Sequence, residues 1–306
     1  MKPRREAIPA AMASTARVKV PVVGGVNRIP VTVDDCDRLW PPNYAGAMAQ
    51  RATMLDRIVT ATRDRVADLR SRRAAVMERA EMMADPPSFE DALIGPGLKV
   101  IAEIKRKSPS RGDLSLDLDP VEQALAYQRG GAAALSVLTE PQFFAGHPDD
   151  LVAARDATHL PILRKDFVLE SIQVWEARAL GASAVLLIVA AITQKELAGL
   201  LHDVERAGLT ALVEVHDEEE VQIALETGAR VIGVNNRNLH SFDVSLDIAE
   251  QLAPQLAGAV LKVAESGIST PAEAHRMAAA GYQAVLVGEA LVKSADPARL
   301  IADMIS

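Results

Sequence analysis

Cysteine is almost missing from this chain: Cys36 is its single thiol among 306 residues. No internal disulfide can form, and no Cys/His set stands at metal-ligand spacing, so neither a disulfide framework nor a structural metal organises the fold; a reducing cytoplasm is the expected compartment. Aromatic residues make up only 3%, so aliphatic side chains must fill the core that a chain 49% hydrophobic can bury. Basic residues are outnumbered 33 to 41. The resulting net charge of −8 argues against nucleic acid as a partner, while leaving room for a local basic pocket that holds one phosphate. The longest apolar run, Ala182 to Ile192, is too short to cross a bilayer and reads as a buried strand. The glycine fingerprint of dinucleotide-binding open sheets is missing too.

Residues 1–53 carry little pattern. Up to Val33, Lys2, Arg4, Arg5, Arg17, Lys19 and Arg28 face a single acid, Glu6, without sustained periodicity. This reads as a flexible tail, or as sequence upstream of a true start near Met48 or Met54; an organelle-targeting segment is the alternative. Deleting residues 1–45 is expected to leave activity unchanged, and an insoluble or inactive product would show that they support the fold. Residues 54–98 form a helical extension, with Leu55, Ile58, Val59, Thr62, Val66, Leu69, Val76, Met77 and Ala80 at three- and four-residue steps. Arg63, Arg65, Arg70, Arg72 and Arg73, interleaved with acids, read as its solvated face, and Pro86 and Pro87 end it.

From residue 99 to 306, short aliphatic runs alternate with amphipathic stretches. Strands are expected to begin near Val100, Leu135, Ile162, Val185, Ala211, Val231, Leu261 and Val285. Helices are expected over Pro120–Arg129, Pro148–Ala157, Glu170–Leu180, Gln194–Ala207, Glu218–Thr227, Leu246–Leu256, Pro271–Ala280 and Pro297–Met304. Pro120, Pro148, Pro271 and Pro297 sit where a first helical turn tolerates a missing N–H. Gly130, Gly181, Gly208, Gly228 and Gly281 sit where a left-handed cap is wanted. Eight such units predict an α/β fold, a (β/α)8 TIM barrel; a doubly wound sheet is the alternative.

In a barrel, chemistry belongs at the C-terminal ends of the strands. Those ends carry Glu103 and Lys105, Thr139 and Glu140, Lys165 with Asp166, Glu214 with His216, Asn235 with Arg237, Glu265 with Ser266, and Gly288 with Glu289; only the fourth strand lacks a polar exit. Side chains alternate along a strand, so Glu103 and Lys105 share a face with Ile101. Lysines converging among carboxylates suit an anionic substrate and proton transfer. The last two exits offer glycine-exposed backbone N–H groups, where barrels bind phosphate.

The runs Val100-Ile101-Ala102-Glu103-Ile104-Lys105-Arg106-Lys107-Ser108-Pro109-Ser110, Ile162-Leu163-Arg164-Lys165-Asp166-Phe167, Leu212-Val213-Glu214-Val215-His216, Gly233-Val234-Asn235-Asn236-Arg237-Asn238-Leu239 and Ala264-Glu265-Ser266-Gly267-Ile268 carry a resemblance to the indole-3-glycerol-phosphate synthase family of tryptophan biosynthesis, from about Leu55 to Met304. The resemblance implies cofactor- and metal-free ring closure of 1-(2-carboxyphenylamino)-1-deoxyribulose 5-phosphate, with loss of carbon dioxide and water. It implies Lys165 as general acid, Glu214 and Lys105 as agents of the dehydration, Glu103 as the partner that orients Lys105, and Asn235 and Glu265 as positioning groups. Ser108 and Arg237 would meet the substrate's charged ends, Phe167 and Leu239 its aromatic ring, and Ser266, Gly267, Gly288 and Glu289 its phosphate end. His216 would stand behind Glu214, and residues 108–112 would form a mobile loop over the mouth.

Two other readings stay open at this stage. A phosphoribosylanthranilate isomerase would place a cysteine after the first strand, where this chain has Glu103 and Lys105. A binding or scaffold protein on the same fold would tolerate the loss of one of the exit groups, and all of them are present. The expected partner is a small anionic sugar phosphate, with no nucleic acid and no membrane; a monomer that works beside other enzymes of the pathway is expected.

Overall fold

In the computed structural model of the chain, residues 53–238 and 242–306 are described, together with the antiparallel pairing of Arg17–Val22 with Gly25–Pro30. The two paired strands belong to a unit, Met1–Ala52, that is separate from Thr53–Ser306. Most of the expected tail, Cys36 included, lies outside the described residues.

Eight parallel strands close into a barrel: β1 (Lys99–Ile104), β2 (Ala134–Leu138), β3 (Ile162–Lys165), β4 (Ala184–Ile188), β5 (Thr210–Val215), β6 (Val231–Asn235), β7 (Leu261–Glu265) and β8 (Ala284–Val287). Each pairs with its sequence neighbours, and β8 closes on β1 through Leu286 opposite Ile101. The expected strand starts fall on these elements. The pleat sorts side chains by alternation. On β1, Val100, Ala102 and Ile104 pack outward under the helices, while Ile101 faces inward with Leu163, Leu212, Val231, Leu261, Val263 and Ala284. The inward residues nearest the strand ends are then Glu103, Lys165, Glu214, Asn235 and Glu265, all buried or nearly so. A short helix that the periodicity did not show, Phe89–Leu93, buries Phe89 and Leu93 completely against this inner cluster. Full burial of each contributes about 2 kcal/mol.

The proline and glycine punctuation largely holds. Pro120, Pro148, Pro271 and Pro297 each open a helix. Gly181, Gly208, Gly228 and Gly281 have positive φ, but Gly130 is right-handed (φ −73°) and Gly131 takes the left-handed turn (φ +86°). Gly130 is needed for closeness instead, since a Cβ there would lie 2.7 Å from the carbonyl oxygen of Ala298. The stretch read as one helix, Leu246–Leu256, is an α-helix over Asp247–Leu252 followed by a 3-10 turn over Ala253–Gly258. Pro254, with no N–H to donate, ends the α pattern.

The extension is two helices, Met54–Ser71 and Arg73–Met82, the first opened by a reciprocal cap between Thr53 and Asp56. Ile58, Thr62, Val66 and Leu69 make its buried stripe. Two arginines of the solvated face reach residues of the barrel, Arg65 becoming partly buried and Arg70 remaining exposed. Arg65 forks onto Asp166 through Nη1 and Nη2 (3.2 and 2.9 Å), and Arg70 pairs with Glu170. Arg178 of the helix Ser171–Leu180 returns the tie to Asp85 and the carbonyl of Met83. Among the described residues, no helix is long and apolar enough to cross a membrane.

Candidate active site

Lys165, the last residue of β3, has its ammonium at the centre of three carboxylates from three other strands. Nζ donates to Glu265 Oε2 on β7 at 2.5 Å and lies 3.9 Å from both Glu103 Oε2 on β1 and Glu214 Oε2 on β5. Lys105 holds the other oxygen of Glu103 at 2.6 Å, so both lysines share one mouth. Asn235 Nδ2 donates to Glu214 Oε1 at 3.0 Å. Only inward, strand-end positions could bring these groups so close, which is why five separate runs of sequence were needed to build one cluster.

Ionisation follows from burial and this company. For Lys165, burial opposes the charge, but the carboxylates of Glu265, Glu103 and Glu214 outweigh it and hold the ammonium protonated well above its ordinary range. Burial likewise pushes Glu103 and Glu214 toward neutrality. The lysines overcome it at Glu103; His216, Lys165 and Asn235 overcome it at Glu214, and both carboxyls end below the usual carboxylate range. Glu265 goes the other way: burial, helped by the charges of Glu214 and Glu103, raises it, and its Oε1 is buried without a hydrogen-bond partner among the described residues.

The cluster lines a cavity of about 400 Å³, of a size for a small organic substrate. Its lining is divided by position around the barrel. The β2–β4 sector contributes Leu138, Phe167, Leu186 and Ile188, and the extension helix adds Met54, Leu55 and Ile58. The β6–β8 sector contributes Arg237, Ser266, Gly267, Gly288 and Glu289 together with the apolar Phe242, Val244, Ile268, Leu286 and Ala290, so polar and backbone groups are concentrated there without excluding apolar ones. Ser266 and Gly267 both have positive φ (63° and 80°), so the chain turns sharply as it leaves β7, with both residues on the cavity. Gly267 is held to glycine twice, by that φ and by Val244 Cγ1 only 2.4 Å from a would-be Cβ. Arg237 donates its backbone N–H to Asn235 Oδ1 (3.1 Å) and Nη1 to the carbonyl of Phe242 (3.3 Å).

Residues 107–113 fold as a small antiparallel hairpin, with Ser108, Pro109, Ser110 and Arg111 on the cavity. Arg111 Nε stands 3.7 Å from Glu289 Oε2, while Lys293 donates to the other oxygen at 2.7 Å. Arg106, at the base of the hairpin, is tied to Asp150 and the carbonyl of Leu118.

Most of the residues picked out from the sequence therefore meet here: Lys165, Glu214, Lys105, Glu103, Asn235, Ser108, Phe167, Arg237, Ser266, Gly267, Gly288 and Glu289 all line the cavity, and Glu265 lies beneath Lys165. Leu239 lies outside the described residues. The second strand corrects the reading of seven polar exits. Thr139 turns away to donate to Asp166 Oδ2 (2.9 Å), Glu140 caps the helix Pro141–Phe144, and Leu138 faces the cavity instead.

Three features had escaped. The apolar start of the extension reads equally well as core. Arg65 reaches Asp166 across 101 residues of chain. Gly233 leaves no room for a Cβ, which would lie 2.1 Å from Glu265 Oε1; a glycine inside a strand is the signal that could have found it.

Asp166, between Lys165 and Phe167, is completely buried, and its carboxylate is held by Arg65, Arg164, Thr139 and the N–H of Phe167. Asp166→Ala would leave Arg164, itself 3% exposed, with Glu176 as its one remaining carboxylate. The expected cost is about 3 kcal/mol, read as a lower urea midpoint. An unchanged midpoint would show that Glu176 suffices.

A closed (β/α)8 barrel with an ion-paired lysine cluster at its strand ends, opening on a cavity lined by both apolar and charged side chains, is an enzyme of the TIM-barrel class. Its outline matches 3-hexulose-6-phosphate synthase from Salmonella typhimurium with a TM-score of 0.53 over 68% of this chain and 96% of that one, at 15% identity, a likeness of fold alone. Residues 55–304 match the family described as indole-3-glycerol phosphate synthase. Curated relatives bearing that description include one from Parafrankia sp. (strain EAN1pec), 52% identical over 76% of this chain and 87% of the relative. Another, from Mycobacterium sp. (strain KMS), is 49% identical over 83% of this chain and 94% of the relative. The chain belongs to the indole-3-glycerol phosphate synthase family.

Proposed function

We infer that this chain closes the indole ring in tryptophan biosynthesis, converting 1-(2-carboxyphenylamino)-1-deoxyribulose 5-phosphate to indole-3-glycerol phosphate as a carboxy-lyase. The observation that carries the reading is the ion cluster in the cavity: an ammonium among three carboxylates lies between strand exits that carry Leu138, Phe167 and Ile188 and exits that carry Arg237, Ser266 and the glycines Gly267 and Gly288. The substrate has the same three parts in the same order, an aryl ring, a reacting ketone and a phosphate.

The residue roles follow from that placement. The ring carbon bearing the carboxylate attacks the ketone, a C–C bond forms, and Lys165 gives its proton to the developing alkoxide. Loss of carbon dioxide returns the C–C electron pair to the ring. Dehydration then needs one proton delivered to the departing hydroxyl and one taken from the neighbouring carbon. Glu214, ionised and on the cavity, accepts a proton; Lys105, paired with Glu103, is the cation placed to deliver one. Over the whole reaction one proton is drawn from solvent. Asn235 and Glu265 hold Glu214 and Lys165 in place. Ser108, Arg237 and the backbone at Ser266, Gly267, Gly288 and Glu289 take the charged ends; Phe167 and the apolar sector take the ring. Residues 54–98 cover the barrel of 99–306, with 1–53 outside the catalytic unit, and the enzyme acts as a cytoplasmic monomer.

The test is the rise of indole fluorescence when purified protein meets the carboxyphenylamino sugar phosphate. Turnover in the parent that falls sharply in a Lys165 variant supports the reading. Tight binding of the same compound without turnover would favour a binding protein instead.

A further inference from the structure

His216 ends its run just beyond β5, is nearly buried, and is not among the residues that line the cavity. Its ring lies between two carboxylates. On the far side, Glu220 Oε2 accepts the His216 backbone N–H at 2.8 Å and lies 3.0 Å from Nδ1. On the near side, Nε2 lies 3.3 Å from Glu214 Oε1, off the line of a hydrogen bond and with no other partner among the described residues. A carboxylate only accepts, so the contact with Glu220 places a proton on Nδ1. A neutral ring would then leave an unprotonated Nε2 only 3.3 Å from a Glu214 oxygen, two electron-rich atoms in close approach. A proton on Nε2 or on Glu214 relieves that approach.

Two donors decide which. Asn235 Nδ2 donates to the same Oε1, and the Lys165 ammonium stands 3.9 Å from Oε2, so Glu214 is solvated as a carboxylate and the proton belongs on the ring. The rest of the surroundings do not compete. The adjoining exit of β4 is apolar at Ile188 and Val189, and β6 contributes the neutral Asn235, bonded to Glu214. The carboxylates facing the ring are thus Glu214 on its own strand and Glu220 on the following helix, with Lys165 as the cation beyond Glu214.

We propose that His216 is a positioning residue for the reaction: wedged between Glu220 and Glu214, it keeps the Glu214 carboxylate turned on the cavity as the proton acceptor. This deepens the reading above and rests on the part given there to Glu214. Burial opposes the ring's charge, but the two carboxylates raise His216 to about 10, so the wedge stays charged across the working range of a neutral cell. His216 touches no substrate; it acts through Glu214.

The experiment compares the parent protein with His216→Asn and Glu220→Gln in steady-state kinetics across pH, and reads the His216 ring by nitrogen NMR in the parent. His216→Asn is expected to lower kcat by up to about 10²-fold, as for a misplaced group, with KM within about twofold. Glu214 also loses a neighbouring cation, so its pKa rises and the acid limb of kcat moves to higher pH. Glu220→Gln, which keeps the ring and tests the wedge where folding is least at stake, shifts the limb the same way by less. The ring is expected to carry protons on both nitrogens at pH 8. Parent-like kcat and acid limb in both variants would overturn the proposal, as would a loss of kcat with the limb unmoved, or a ring neutral at pH 8. If the parent showed no turnover, the reading of function would fail by itself and the NMR result would still decide the wedge.

Discussion

Lys165→Ala is expected to lower kcat by roughly 10²–10⁴, a transition-state loss of ~3–5 kcal/mol, with KM changed only a few-fold. Among the described residues, the ammonium is the one cation with ion pairs to carboxylates from β1, β5 and β7; Lys105 reaches only Glu103, so it is not placed to replace it. Each carboxylate left behind has a different resource: Glu103 keeps Lys105, Glu214 keeps His216 and Asn235, and Glu265 keeps nothing comparable. Glu265 should therefore take up a proton, and the barrel should remain folded. The sign of the resulting pH dependence is definite. A carboxyl whose folded pKa lies above its unfolded value binds more protons in the native state, so stability falls as pH rises from the ordinary carboxylate range through the raised value. The variant should lose more stability than the parent between acid and neutral pH. Near-normal turnover would remove Lys165 from its role, and an unfolded product would be checked with the nearly isosteric Lys165→Met.

Glu214→Gln is the second large effect: kcat down by about 10²–10⁴ with KM nearly kept, because the amide fills the same space but cannot accept a proton in the transition state. Asn235 would still find an oxygen to donate to, so geometry is largely preserved. A change confined to KM would place Glu214 in binding instead of chemistry. Comparing the two variants also separates the steps, since Lys165→Ala should block formation of the C–C bond, whereas Glu214→Gln should let a decarboxylated, still hydrated species accumulate.

The barrel and most of this cluster could be read before any coordinates, for physical reasons. Strand alternation puts Ile101, Glu103 and Lys105 on one side whatever the rest of the chain does. A proline at a first helical turn and a glycine after a last one are local demands, which is why Pro120 and Gly181 lie where expected. What was hidden depended on residues far away or just past a strand. Thr139 and Glu140 follow β2, where alternation no longer constrains direction, and the pull of Asp166 and of a helix terminus turned them aside. Arg65 looks like any exposed helical arginine until β3 supplies Asp166. Gly233 is explained only by the carboxylate of Glu265 from the next strand.

Met54, Leu55 and Ile58 come from a helix outside the barrel, yet they line the same cavity as the proposed aryl-ring contact Phe167, while Glu103, Lys165, Glu214 and Glu265 are anchored on strands. Reshaping that end for bulkier or halogenated anilines, and so for substituted indole products, thus becomes a matter of repacking one peripheral helix, with the acid and base left where they stand.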